Sequence, residues 1–394
     1  MGLIRVFRMD PGACRIIELL EEAGFEAYAV GGCVRDTLLG RSPKDWDITT
    51  SAQPEEIQRV FERTFDTGIK HGTVSVRMFG ETYEVTTYRI DGQYADHRRP
   101  DSVLFTASLR EDLARRDFTI NAMAFHPVRG LVDLFEGRED LRRGLVRCVG
   151  NPSDRFEEDA LRMLRALRFS AYLSFDIDPD TLAAVAEKAE LMRFVSKERI
   201  AEELGKILLS EHPDTIRTVW ETGLMRWCIP LFDGTDFPYG SLKDSPCERV
   251  VRWSLLLQRL SEEACDEALR DLKFDNDTRR RVVRIARYRN AELPTGAAPM
   301  RHFLHELGVS YFGELCDVRR ALGYEDGEAL RQYEAQKNMP LEIRDLAIGG
   351  RELIERKGVS GPELGRLLEA LLDRVLEDPG LNEKETLLEL SDSL

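Results

Sequence analysis

The sequence contains no run of about 18 apolar residues, the length a helix needs to cross a bilayer. Its opening residues, MGLIRVFRMDPGAC, lack the apolar core of a secretory leader. A cytoplasmic protein with no membrane partner is expected. No CxxC pair occurs: Cys14, Cys33, Cys148, Cys228, Cys247, Cys265 and Cys316 are scattered and odd in number, which argues against a disulfide framework and a zinc site. Basic residues are in deficit, with 56 Lys and Arg against 71 Asp and Glu, for a net charge of −15. Phosphate contacts come from positive surface, so any RNA site must be a local basic patch. Internal repeats and low-complexity tracts are also missing.

At 394 residues, and roughly 150 residues per domain, the chain predicts two or three domains. Its composition, 42% hydrophobic and 32% charged, is that of a globular protein. The charge is segregated. Arg142, Arg143, Arg147, Arg155, Arg162, Arg165 and Arg168 outnumber the acids Asp154, Glu157, Glu158 and Asp159 among them. A second basic run is TRRRVVRIARYR, Thr278 to Arg289, whereas the final LEDPGLNEKETLLELSDSL is acidic.

Helical spacing predicts a helix over residues 14–24, then a strand from Ala27 to Val30 broken by Gly31 and Gly32. A short helix follows from Cys33 to Leu39, a strand from Trp46 to Thr49, and a helix from Pro54 to Arg63 capped by Thr50 or Ser51. Thr73 to Met78 and Thr82 to Tyr88 alternate in period two around Gly80, a hairpin signal. Val103 to Phe105 and Gly130 to Leu134 are further strand candidates. From about Asp154 onward almost all periodicity is helical. Phe232 to Pro246 and Glu292 to Pro299 are the expected inner linkers.

Two constellations carry chemistry. Gly31 and Gly32, between a strand and a helix, let backbone N–H groups approach an anion, with Arg35 adding positive potential. No GK[ST] follows, so this is not a P-loop. Asp45 and Asp47 flank Trp46 at a strand start, where residues i and i+2 share a face, so both carboxylates can converge on a hard cation. Glu84, on the hairpin's second strand, can supply a third carboxylate.

The order GGCVRD, DWDI, EVTTYR, RRDFTINAM, EDALRMLRALRF, from Tyr28 to Phe169, resembles the bacterial class II tRNA nucleotidyltransferases, the CCA-adding enzymes of the polymerase β superfamily. A fainter similarity continues through DLAIGGRELIE and NEKETLLEL. The resemblance implies an α+β fold: a nucleotidyltransferase head with a mixed or antiparallel sheet flanked by helices, then an all-α neck, body and tail. Expected boundaries are 1–150 for the catalytic head, 151–211 for a neck that recognises the base, 212–294 for the body and 295–394 for a tRNA-binding tail. It implies template-independent addition of C, C and A to the tRNA 3′ end from CTP and ATP, releasing pyrophosphate, with Mg²⁺ at Asp45 and Asp47. Glu84 is expected to join these two as catalytic. The nucleotide is placed at Gly31, Gly32, Arg35 and Asp36. Arg116, Asp117 and Asn121 would address ribose and phosphates, and Arg165 and Arg168 triphosphate or RNA backbone.

Asp159 and Arg162 would read the base. A carboxylate accepts from an exocyclic amine and a guanidinium donates to a ring acceptor, a pattern cytosine and adenine satisfy and guanine and uracil reverse. The stretch Arg89 to Phe105 resembles the family's flexible loop for switching from C to A, which CC-only enzymes lack. No LLHDIGK-like helix occurs; the nearest stretch, Arg252 to Leu260, predicts no phosphohydrolase activity. His302 and His305 read as ordinary helix residues. Arg280, Arg284 and Arg287 share a face that either grips tRNA backbone or is solvated. Three alternatives stay open: an enzyme adding only A, a poly(A) polymerase, and a non-catalytic tRNA-binding protein.

Overall fold

The computed structural model describes residues 8–68, 72–91 and 103–394. They form two compact units, Met1–Thr235 and Asp236–Leu394. The first begins with α1 (Pro11–Glu22), started by Pro11 and by Asp10, whose carboxylate accepts the N–H of Ala13 at 3.0 Å. Ile16, Ile17 and Leu20 repeat at helical spacing and are buried against the sheet. There follow β1 (Ala27–Val30), α2 (Gly32–Leu38), β2 (Asp47–Thr50), α3 (Pro54–Val60), β3 (Thr64–Gly68), β4 (Thr73–Met78), β5 (Glu81–Thr87), β6 (Arg89–Asp91) and β7 (Val103–Phe105). Then come α4 (Leu109–Ala114), a 3-10 turn at Thr119–Asn121, β8 (Met123–His126) and β9 (Gly130–Asp133). The seven-stranded sheet runs β3-β4-β5-β2-β1-β8-β9. It is mixed, with β2 and β5 parallel and the other neighbours antiparallel.

The helix expected to reach Arg63 ends at Val60, because Phe61 turns extended (φ −112°, ψ 134°) and leads into β3. Its cap is also different: Glu56 accepts the N–H of Gln53 at 2.8 Å. Thr50 and Ser51 instead bond the backbone of Glu26, holding β2 to the turn before β1. β8 was not anticipated. Met123, Ala124 and His126 are all buried, so the strand carries no period-two alternation. Of the expected loop, β6 and β7 pair antiparallel at its two ends, and residues 92–102 lie outside the described residues.

The unit continues with α5 (Gly137–Arg143), β10 (Leu145–Val146), α6 (Pro152–Glu158), α7 (Leu161–Leu173), β11 (Asp176–Ile177), α8 (Pro179–Lys188), α9 (Lys197–Leu208), α10 (Ile216–Glu221) and α11 (Met225–Cys228). The short parallel pair β10–β11 interrupts the helical run. Met163, Leu164, Ala166 and Leu167 of α7 and Ile200, Leu204 and Ile207 of α9 are fully buried where these helices pack. Burying the leucine, isoleucine and methionine side chains among these stabilises by about 1.5–3 kcal/mol each.

The second unit is helical: α12 (Gly240–Asp244), α13 (Arg249–Leu256), α14 (Glu262–Asp271), α15 (Asn276–Tyr288), α16 (Ala297–Leu307), α17 (Phe312–Ala321), α18 (Gly327–Gln336), α19 (Gly350–Lys357), α20 (Pro362–Glu377) and α21 (Lys384–Ser393). Most arginines of the basic run, on α15, hold this unit together. Arg279 pairs with Asp266, Arg281 with Glu314, and Arg287 with Glu262 through two bonds, while Arg284 donates to the Glu306 and Leu307 carbonyls that end α16. Arg280 is exposed. Buried Arg301 caps α20, donating to the carbonyls of Leu376 and Glu377 at 2.6 and 2.7 Å. His302 contacts Glu377 at 2.9 Å, and His305 contacts the Leu341 carbonyl at 2.9 Å. An open groove of about 1080 Å³, bordered by Arg280, Arg284, His305, Lys337 and Arg344, belongs to this unit. Among the described residues no helix is long and apolar enough to cross a membrane.

Gly137 starts α5 against the 3-10 turn, and a Cβ there would lie 2.2 Å from the Thr119 carbonyl oxygen. Gly137→Ala is therefore expected to cost about 1–3 kcal/mol of stability. Urea denaturation checks this, and an unchanged midpoint would refute the close approach.

Candidate active site

The sheet register assembles the acidic edge. Asp47 opens β2, facing Val30 of β1 on one side and Glu84 of β5 on the other. Gly31, directly after Val30, has φ +81°, a conformation that glycine tolerates and L side chains rarely adopt. A Cβ at Gly31 would stand 3.1 Å from the Arg116 guanidinium. The Gly-Gly element, Asp47 and Arg116 are thus neighbours. Partial burial raises the pKa of Asp47 above its ordinary value; Glu84 and Asp45 raise it further, and Arg116 opposes them. A divalent cation placed beside these neighbouring carboxylates would offset their mutual repulsion. Among the described residues no group of three or more His, Cys, Asp or Glu is arranged to hold a metal. A pair of carboxylates nevertheless fits Mg²⁺, which typically takes one or two carboxylates and completes its shell with water and substrate phosphate.

Behind this edge runs a buried polar chain. Arg35 of α2 donates through Nε to Asp36 at 2.8 Å and through Nη1 to Asn121 at 2.7 Å. Asn121 donates to Asp117 at 3.2 Å, and Asp117 accepts Nε of Arg165 at 2.9 Å and the N–H of Phe118 at 2.8 Å. Burial pushes the Asp117 carboxyl up, but Arg165, Arg162 and the bond from Asn121 outweigh it and hold the group at about 2. The guanidinium carbons of Arg35, Arg165 and Arg168 lie 5.2, 5.6 and 4.1 Å from the centre of the Phe169 ring. Three cations share one aromatic platform, and Arg168 is additionally paired with Glu203 at 2.7 Å.

Fully buried Asp112 is a second hub. It accepts two bonds from Arg115 at 3.0 and 2.7 Å, one from Arg116 at 3.3 Å, and one from Thr49 of β2 at 3.0 Å. It fastens Arg116 to the strand that bears Asp47.

Asp159 and Arg162, expected as the base-reading pair, stand at the start of α7 with separate partners. Arg162 is held by Glu158, by the Arg155 carbonyl at 3.2 Å and by the Arg115 carbonyl at 3.0 Å. Asp159 is gripped by Arg199 of α9, at 2.9 and 3.4 Å. Along α7, Arg162, Arg165 and Arg168 go to three different carboxylates, Glu158, Asp117 and Glu203. Arg199, Asp112 and Glu203 were missed from the sequence. Asp112 was legible, lying three and four residues before Arg115 and Arg116 on one helical turn. Arg199 sits in KERIAEELGKILLS, where its charge is indistinguishable from a solvated face.

With the Asp117 carboxyl at about 2 when folded and 3.8 ordinarily, its stabilisation is complete above about pH 4 and is lost as the pH falls through the folded value. Asp117→Asn should lower stability by about 3 kcal/mol at neutral pH, since Arg165 loses its buried counter-charge. In urea titrations the gap to the parent should narrow as the pH drops below about 4; a gap independent of pH contradicts the assignment.

Residues 27–147 match the Poly A polymerase head domain, residues 174–234 an RNA- and SrmB-binding site of polymerase A, and residues 247–390 tRNA nucleotidyltransferase domain 2. The chain is 40% identical to the CCA-adding enzyme of Lactobacillus helveticus, over 92% of each protein. It is 41% identical to that of Enterococcus faecalis, over 95% of this chain and 94% of the relative. The crystal structure of the Bacillus stearothermophilus CCA-adding enzyme in complex with CTP superimposes with a TM-score of 0.84 at 34% identity, covering 98% of each chain. With similarity extending over more than nine-tenths of its length, the chain belongs to the family of CCA-adding enzymes, the tRNA nucleotidyltransferases.

Proposed function

We propose that this protein adds C, C and A to the 3′ end of tRNA, using CTP and ATP and releasing pyrophosphate, with no nucleic-acid template. The observation that carries the reading is the convergence of Asp47, Gly31 and Arg116 at one end of the sheet, backed by the Arg35–Asn121–Asp117–Arg165 chain. Family membership and the names of the relatives point the same way, and they favour full CCA addition over an A-only enzyme or a poly(A) polymerase.

In this reading the backbone at Gly31 and Gly32 admits the triphosphate closely, as no bulkier residues would. Arg35, Arg116, Arg165 and Arg168 offset its negative charge, and the buried network fixes their directions beforehand, so little reorganisation is needed on binding. Asp159 accepts the exocyclic amine of cytosine or adenine, while Arg162 donates to N3 or N1 of the same base. Guanine and uracil present a carbonyl and an N–H at those places and are refused. Asp117 and Asn121 act on the nucleotide through the arginines they orient.

Enzymes of this family generally use divalent metal ions. Asp45 and Asp47, with Glu84 beside them, would hold Mg²⁺, which when bound activates a hydroxyl nucleophile and stabilises departing pyrophosphate. We further propose the division into a catalytic head (1–150), base-recognising neck (151–211), body (212–294) and tRNA-binding tail (295–394), and a cytoplasmic location. Because α15 commits most of its arginines within the second unit, backbone contacts to tRNA from this helix are assigned to Arg280.

Incorporation on three tRNA transcripts, ending before CCA, after C and after CC, tests the function with CTP, ATP and Mg²⁺. All three should be completed to CCA, and Asp45→Ala or Asp47→Ala should lower the rate by at least about a thousandfold. Extension of only the CC-ended transcript, by one A, would instead identify an A-adding specialist. No extension at all would overturn the catalytic assignment.

A further inference from the structure

Asp159 is the hinge between α6 and α7. Its backbone is extended (φ −137°, ψ 103°), and its Oδ1 accepts the N–H of Leu161 at 3.1 Å, capping the new helix. Arg199 reaches it from α9, with Nη2 2.9 Å from Oδ2 and Nη1 3.4 Å from Oδ1. The side chains are 17% and 26% exposed, so this contact is shielded from bulk water without being closed off. α9 is anchored by its packed face, on which Ile200, Leu204 and Ile207 are fully buried.

An ionised carboxylate offers about four acceptor directions. The Leu161 N–H and the two Arg199 contacts occupy three of them. A single direction then remains for an incoming exocyclic amine. Without Arg199 the carboxylate keeps only its helix-capping bond, and its terminal torsion, which is broad for aspartate, is no longer fixed. Arg162 needs no such help, being oriented by Glu158 and two backbone carbonyls.

We propose that Arg199 is a specificity-determining positioning residue. It grips both oxygens of Asp159 and leaves one acceptor direction toward the base, so that rejection of uracil and guanine depends on α9 as well as on the pair itself. The guanidinium fork suits this task because it engages two oxygens in one plane, which an ammonium cannot do. This inference rests on the reading of Asp159 as the base acceptor.

The test compares kcat/KM for CTP and UTP, and for ATP and GTP, in the parent, Arg199→Met, Arg199→Lys and Asp159→Ala, on transcripts ending before CCA and after CC. The CTP:UTP ratio should fall about tenfold in Arg199→Met, the scale of one lost charge-assisted contact, and by a smaller factor in Arg199→Lys. kcat for CTP should fall less than the ratio does. A ratio equal to the parent's, or a parallel decline for all four nucleotides, overturns the proposal, because a merely structural role would affect every substrate alike. Thermal melting establishes that the variants fold; if Arg199→Met does not, the ratio in Arg199→Lys decides by the same criterion. If Asp159→Ala loses discrimination and the Arg199 variants keep it, the inference alone fails. If Asp159→Ala also keeps it, the base-reading assignment beneath it fails.

Discussion

A carboxylate enclosed in protein must be given counter-charge and hydrogen bonds or be neutralised, because burial penalises its ionised form heavily. Asp117 meets that demand with Arg165, Asn121 and the Phe118 N–H. Asn121 in turn accepts from Arg35, so satisfying one buried charge fixes side chains on α2, the 3-10 turn and α7 at once. Three pieces of chain remote in sequence acquire a common frame. The arginines expected to meet the triphosphate are directed by this requirement before any ligand arrives.

The two kinds of carboxylate in the first unit make the functional division visible. Asp112 and Asp117 are buried and compensated, and both have pKa values lowered despite their burial. Asp47 stands at the open end of the sheet among Glu84 and Asp45, and its pKa is raised. Compensated charge holds the scaffold; the carboxylates at the sheet edge are the ones proposed above to meet a cation. Arg116 connects the two, being bonded to Asp112 while lowering the pKa of Asp47.

Much of this was legible in the sequence where a local rule forces a local structure. Gly31 at φ +81° and the strand that places Asp47 beside Glu84 follow from a Gly-Gly break and period-two patterns. β8 escaped because burial on both faces erases alternation, and β3 because the helix before it carries no stop residue at Val60. Long-range partner choice was not legible. Nothing near Asp159 announces that Arg199, 40 residues away, will hold it. The arginine run of α15 resembles a nucleic-acid stripe in one dimension, yet Glu262, Asp266 and Glu314 claim most of it once the helices pack. A charge pattern reveals which groups are available, and the tertiary fold decides which remain so.

The central claim is that Arg35 and Arg165 act as one preorganised unit through Asn121 and Asp117. A double-mutant cycle with Arg35→Met and Arg165→Met, read as kcat/KM for CTP on a transcript ending before CCA, tests it directly. The account predicts that the double variant loses less than the sum of the single losses, with a coupling energy of about 1–2 kcal/mol, because either substitution already dismantles the shared network. Additive losses would mean that the two arginines work independently and that the buried chain does not preorganise the site.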